Sequence, residues 1–305
     1  ERIRAIADEM GYKPNQLGRA LSMSRNNIKI GVILQGAETP FMKEVLKGIQ
    51  EACAEVDNLG GTVLVHKIEH QNAEDVILAM EKMRMEEVRG IAMVPLDEER
   101  VKREIDRFVE EFRIPVVTFT SDVEDTKRLC FVGQNGVQCG RAAAGLMGGT
   151  DRWKRKVAVI SGYSTNTSLS SRVVGFREEI ARKYPGIEII GPEYCFEENG
   201  RAREITEGIF KDVPDLDGIY LTSHGEEGVS REAIAGAGKA GQVKMVANDF
   251  MGRNYELMRE GFIHFLIGQD ARIQGYEPVM ILFRLLFNGE APERAKIFYG
   301  NIYKE

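Results

Sequence analysis

Cysteine is scarce in this chain. Its four cysteines, Cys53, Cys130, Cys139 and Cys195, are widely spread and form no Cys-x-x-Cys pair. They read as free thiols packed as small hydrophobes in a reducing compartment, although disulfides are not excluded. No stretch approaches the roughly 18 uninterrupted apolar residues that spanning a bilayer requires. Positive charge is not in excess. The net charge of −6 rules out a nonspecific polyanion binder, taken over the whole molecule. The first residues, Glu-Arg-Ile-Arg-Ala, show neither a start methionine nor the basic-then-apolar pattern of a signal peptide. Upstream residues are therefore expected to be missing, with an exported, processed protein as the alternative.

What is present is ample for two cores. The chain has 305 residues, 43% hydrophobic and 29% charged, and domains run to about 100–200 residues each. The charge is unevenly placed. Residues 10 to 27 hold Lys13, Arg19 and Arg25 and no acid. Such a basic arm on an acidic body is either a local contact with a polyanion or a solvated linker.

Ile3, Ile6, Ala7 and Met10 have helical spacing, closed by Gly11 and Pro14. Asn15 can cap a second, short helix reaching Ser22. Gly18 costs that helix about 1 kcal/mol relative to Ala, so it is marginal alone. From Ile28 onward, short β-branched runs alternate with helical stretches of ten or more residues. Strands are expected at 28–34, 62–68, 90–96, 114–120 and 129–133, then at 156–161, 187–194, 218–222, 243–247, 262–267 and 297–303. Helices fall between them, among them 41–56, 73–85, 99–112, 138–147, 171–184, 226–237 and 273–287. This alternation indicates parallel sheets with helices on both faces. Two such runs meeting near Gly133–Asn135 indicate two similar α/β lobes, and the cleft between them is the expected ligand site.

Several chemistry motifs fail on context. His66-Lys-Ile-Glu69-His70 has a zinc-peptidase spelling, but it ends an extended run, where the two rings would lie about 13 Å apart. Gly236-Ala-Gly238-Lys-Ala-Gly241 follows a helix and precedes a strand, the reverse of a dinucleotide site. Ser164, His224 and Asp249 could be drawn as a triad, but no local motif supports it. No catalytic residue, metal ligand or cofactor is assigned.

One segment carries more. Tyr12-Lys-Pro14-Asn15-Gln-Leu-Gly18-Arg19-Ala-Leu21 resembles the hinge of the LacI/GalR family of bacterial transcription regulators, and residues 1–10 resemble the last helix of that family's headpiece. The first core strand, Ile114-Pro-Val-Val, Val132-Gly-Gln-Asn135, Gly140-Arg-Ala-Ala, Ser171-Arg172-x-x-Gly175-Phe176 and Asn248-Asp249 follow in the family's order. Gly18 departs from its usual alanine. Thr120-Ser121-Asp122 departs from the Asp-Arg of many sugar binders, and Ser223-His224 from their later Asn-Asp.

The resemblance implies a periplasmic-binding-protein-like type I fold. Two Rossmann-like lobes with parallel sheets would be joined by three crossovers, near Asn135, Gln269 and Ala291. The divisions would be 1–11 (end of the headpiece), 12–27 (hinge and linker), 28–134 plus 271–290 (N-terminal lobe) and 135–270 plus 291–305 (C-terminal lobe). The resemblance further implies a cytoplasmic, homodimeric, ligand-responsive repressor. Lys13, Asn15, Leu17, Arg19 and Leu21 would meet operator DNA. A sugar or polyol effector would meet Phe41, Thr120, Ser121, Asp122, Arg172, Phe196, Ser223, His224, Asp249 and Gln269. A solute-binding receptor for sugar transport is the alternative.

Overall fold

A computed structural model describes residues 28–68, 71–149, 156–292, 296–298 and 301–304. The expected headpiece helix and hinge, with all five DNA-contact candidates, lie outside the described residues, as do Glu69 and His70.

The described chain forms two α/β lobes, each around a six-stranded sheet. The N-terminal lobe holds β1 (Lys29–Gln35), α1 (Pro40–Asn58), β2 (Thr62–Ile68), α2 (Ala73–Met85), β3 (Gly90–Met93), α3 (Glu99–Glu110), β4 (Val116–Phe119) and β5 (Cys130–Gly133). The C-terminal lobe holds α4 (Gly136–Gly148), β6 (Lys156–Ser161), α5 (Thr167–Lys183), β7 (Glu188–Tyr194), α6 (Asn199–Asp212) and β8 (Gly218–Leu221). A π-helical segment, Gly228–Ile234, follows, then β9 (Lys244–Asn248), α7 (Gly252–Arg259) and β10 (Phe265–Gly268). The chain returns to the first lobe as α8 (Ala271–Asn288) and β11 (Lys296–Phe298), and ends in β12 (Asn301–Lys304).

The strand orders are β11-β5-β4-β3-β1-β2 and β12-β10-β9-β8-β6-β7. All pairings are parallel except β12 against β10. Alternation along the central strands explains the layers. In β1, Ile30, Val32 and Leu34 pack with α1 and α8, while Ile33 packs on the other face with α2 and α3. In β6, Ala158 and Ile160 face one core of the second lobe and Val157 and Val159 the other. Side chains that alternate across a strand buried on both faces need a helix layer on each side.

Two details depart from the sequence reading. The apolar run at 297–303 is not one strand. Lys296–Phe298 pairs with β5 in the first lobe, and Asn301–Lys304 with β10 in the second. The third crossover thus falls after Phe298, not at Ala291, and β11 belongs to the N-terminal lobe, not the C-terminal one. Each half covers the open edge of a different sheet, and periodicity alone does not specify the pairing partner. The helix expected over 226–237 is wound as a π-helix through Gly228–Ile234. The first two crossovers lie as expected, at Gln134–Asn135 and Gln269–Asp270.

Candidate functional site

The C-terminal ends of β1, β3 and β4 face those of β6, β8 and β9 across a cavity of about 160 Å³ between the lobes. A cavity of ~150 Å³ accommodates benzene, so this one fits a single six-membered ring.

The two walls differ in kind. From the N-terminal lobe come Gln35, Thr39, Phe41, Gln71, Val94, Leu96 and Thr120. Thr39 caps α1, its hydroxyl accepting from the Met42 N–H, and Pro40 starts the helix with its preset φ. Together they present Phe41 to the cleft. Gln35, 4% exposed, donates its amide to the Val94 carbonyl at 2.6 Å. Among the described residues its Oε1 has no partner.

The C-terminal lobe brings the charge: Arg172, Glu197, His224, Glu226, Glu227, Asp249 and Arg253. Asn166 caps α5, and in its second turn that helix carries Arg172, 1% exposed. The guanidinium donates to Gln134 Oε1 (2.9 and 3.2 Å) and to the Thr222 carbonyl (2.5 Å). Gln134 in turn donates to the Gly268 carbonyl (3.1 Å), so Arg172 is wired to the first two crossovers. Asp249 accepts from Gln269 Nε2 at 2.8 Å, and Gln269 accepts from Gln274 (3.0 Å). Burial raises the Asp249 carboxyl above the usual carboxylate range, against the pull of Arg172. Glu226 accepts from the Gly225 N–H (3.1 Å) and Asn254 (2.8 Å) and pairs with His224 Nδ1 (3.0 Å). That bond raises the His224 pKa, against burial.

Seven of the ten effector candidates line this cavity: Phe41, Thr120, Arg172, Ser223, His224, Asp249 and Gln269. Ser121, Asp122 and Phe196 do not. Thr120 sits at φ +58°, and Ser121 N–H bonds back to the Phe119 carbonyl (2.7 Å), a γ-turn that swings the chain away. Asp122 is instead clamped by Arg128 (Nη2 to Oδ2, 2.5 Å) and accepts from Thr118 (2.8 Å). Ser121 and Asp122 contact the other lobe. Thr167 Oγ1 meets Ser121 Oγ (2.9 Å), accepts from the Asp122 N–H (2.9 Å) and donates to the Asp122 carbonyl. Beside it the Asp97 N–H bonds the Thr165 carbonyl (3.0 Å). Phe196 and Glu197 both have positive φ, 54° and 61°. The resulting turn puts Phe196 outside, 46% exposed against Tyr163, and Glu197 in the cleft.

Sequence reasoning missed Gln35, Gln71, Asn166, Glu197 and Glu226. Glu197 is the largest omission. Burial, reinforced by Asp249 and Glu226 and opposed by His224 and Arg172, pushes its carboxyl up to about 7. The strand-end rule that found Phe41 and Asp249 would have found Gln35, the last residue of β1. Among the described residues no group of His, Cys, Asp and Glu forms a metal site, all four cysteines are free thiols, and no helix is long and apolar enough to cross a membrane.

A sequence profile described as a periplasmic binding protein domain matches residues 30–291. Over 141 residues the chain is 26% identical to a D-ribose/D-allose-binding protein of Pseudomonas aeruginosa, covering 46% of this chain and 43% of that protein. Over 55 residues it is 34% identical to the HTH-type transcriptional regulator PtxS of Pseudomonas plecoglossicida, covering 18% of this chain and 16% of the regulator. The chain thus spans less than half the length of these curated relatives. Among solved structures, an ABC transporter solute binding protein from Agrobacterium vitis with bound D-fucose matches with a TM-score of 0.82 at 25% identity, covering 91% of this chain and 95% of that one.

Proposed function

The chain belongs to the periplasmic binding protein domain family, and from that premise we propose that it is the ligand-sensing core of a cytoplasmic, DNA-binding transcription repressor. Its inter-lobe cleft takes a small sugar-like or polyol effector. The observation that carries the regulator reading is the Tyr12–Leu21 segment standing directly before a two-lobed ligand cleft. The short likeness to PtxS supports it. The cleft chemistry supports the ligand class. Phe41 offers a face for a ring's apolar side, and Arg172 and Asp249 offer charged partners for hydroxyls, which bind more strongly than neutral ones. No step of covalent chemistry is assigned to the site.

Ligand contact is coupled to the crossovers between the lobes through named bonds. A ligand on Arg172 acts on Gln134 at the first crossover, and one on Asp249 acts on Gln269 at the second. Lobe closure then alters the spacing of two copies on DNA. Lys13, Asn15, Leu17, Arg19 and Leu21 are the residues to meet the operator, Leu21 as a wedge between base steps and the cations at phosphates. This reading requires a homodimer. In the protein with its headpiece, Leu21→Ala weakens operator binding and leaves effector affinity unchanged. Unaltered operator binding sinks the wedge role of Leu21.

The second reading, a solute-binding receptor for sugar transport, is favoured by the Agrobacterium vitis relative. Selection of genomic DNA fragments on the immobilised protein with its headpiece separates the two. Enrichment of a pseudo-palindrome supports the regulator; no enrichment supports the receptor.

A further inference from the structure

The cleft's acids and bases match one to one until Glu197 is reached. His224 pairs with Glu226 and Arg253 with Glu227, and Arg172 offsets the charge of Asp249. Glu197 lines the same cavity, and among the described residues its carboxylate has neither a hydrogen bond nor an ion pair. Glu197 is half-buried, and a ligand that fills the cleft strips the remaining water from its ionised carboxylate, which is costly unless the ligand supplies a partner. The facing wall cannot supply the missing cation, because its lining residues from Gln35 to Thr120 are all uncharged.

A second, independent observation comes from that wall. Gln35 must direct its amide nitrogen at the Val94 carbonyl, which fixes its orientation. Its Oε1 is then left as a buried acceptor with no partner, in a side chain 4% exposed that lines the cavity. Both walls therefore present unanswered acceptors. Resting on the sugar-like reading above, we propose that the ligand is a polyhydroxy amine, of the amino-sugar class, whose ammonium group pairs with Glu197 while neighbouring N–H or O–H groups reach Gln35. An ammonium offers three donors and a full charge, where a hydroxyl offers one donor and none. Charge-assisted bonds are roughly twice as strong as neutral ones.

The test is calorimetric titration of the full chain at pH 7 with glucosamine, galactosamine and mannosamine. Each is compared with its neutral parent sugar and its N-acetyl derivative, in which the charge is removed. At least one amine is expected to bind ten-fold or more tighter than both of its neutral counterparts. Glu197→Gln is expected to bring the three within about two-fold, while Glu204→Gln, an exposed carboxylate on α6 outside the cleft and paired with Arg201, preserves the preference. A parent sugar that binds as tightly as its amine overturns the proposal and leaves the sugar-like reading standing. So does an amine preference that survives Glu197→Gln. Silence from the amines, the parent sugars and the N-acetyl derivatives alike overturns both.

Discussion

In the N-terminal lobe, a Cβ on Gly48 of α1 would lie 1.9 Å from the Arg272 carbonyl oxygen, and one on Gly275 of α8 would lie 2.0 Å from that of Val45. In the C-terminal lobe, Gly140 of α4 and Gly175 of α5 stand in the same relation to Arg172 and Val137, at 1.9 and 2.0 Å. In each lobe, the helix that follows a crossover is pressed backbone to backbone against the helix that follows the first strand. The packing solution is shared, yet the cleft walls are not: one is uncharged and the other carries every charge in the cavity. The fold is therefore a scaffold used twice, and the charges of the cleft stand on one copy of it.

The largest expected effects concern what the lobes share. Gly48→Ala and Gly140→Ala each drive a methyl into a carbonyl that cannot move without shifting a helix. Each should cost at least about 3 kcal/mol, the upper end of overpacking. The two lobes have separate cores, so urea unfolding followed by hydrogen exchange should show Gly48→Ala opening the N-terminal lobe first and Gly140→Ala the C-terminal lobe first. Loss of both lobes together in either variant would break the picture of two independent copies.

The next concern what they do not share. Asp249→Asn removes a charged acceptor and should weaken effector binding by about 1.5–3 kcal/mol, whereas Thr120→Val removes a neutral hydroxyl and should cost about 0.5–1.5 kcal/mol. Equal losses in calorimetry would mean that the ligand is held symmetrically, and the contrast between the walls would lose its functional meaning.

The shared scaffold was legible in the sequence and the unshared chemistry was legible only in part. Thr62–Ile68 and Ala73–Met85 have the bounds that periodicity gives them, because a continuous apolar pattern between turn residues reports burial directly. Arg172 and Asp249 followed from a resemblance and from the rule that strand C-termini meet at the cleft. What failed was one-residue geometry. Thr120, Phe196, Glu197 and Asp249 all hold positive φ. That is a conformation tertiary packing imposes at functional sites and that no local propensity announces. A single such turn exchanged Phe196 for Glu197 in the cleft and sent Ser121 and Asp122 to the lobe contact. In the same way, nothing in residues 297–303 reveals that their halves serve different sheets.

The C-terminal lobe should also dominate the pH dependence, through two groups of opposite sign. Glu197 is raised by burial from 4.5 to about 7, so the folded chain binds its proton more tightly than the unfolded chain does. Its contribution to stability falls as pH rises from about 4.5 to about 7. His264 is lowered by burial from 6.5 to about 4, and its neutral Nδ1 accepts the Met245 N–H at 3.3 Å. Its contribution rises between about pH 4 and 6.5. With the screening that partial exposure brings, each amounts to about 1–2 kcal/mol. The wild-type profile in the ligand-free protein should therefore be shallow over that window. Glu197→Gln should tilt it upward with pH, as read by thermal melts in matched ionic strength. An unchanged slope would show that Glu197 titrates as a solvated carboxyl.

The smallest effect tests whether the two walls move as one. Thr167 opens α5, the helix that carries Arg172, and its hydroxyl holds Ser121 and Asp122 across the lobe boundary. Thr167→Val keeps the shape and removes these bonds, leaving the Asp122 N–H without its hydroxyl partner. The cost should be about 0.5–1.5 kcal/mol, only a few degrees in Tm for a chain of this size. The bonds join lobe to lobe and not strand to strand, so little of that loss should appear as unfolding. It should appear as opening. Small-angle scattering of the ligand-free variant should give a larger radius of gyration than wild type, and Thr167→Ser, which retains the hydroxyl, should restore it. Effector affinity should fall with the opening, because an effector that needs both walls must then close the lobes without that contact. If the radius stays fixed while affinity falls, Thr167 acts by positioning Arg172 within the C-terminal lobe alone, and the charged wall would be organised without help from its neutral partner.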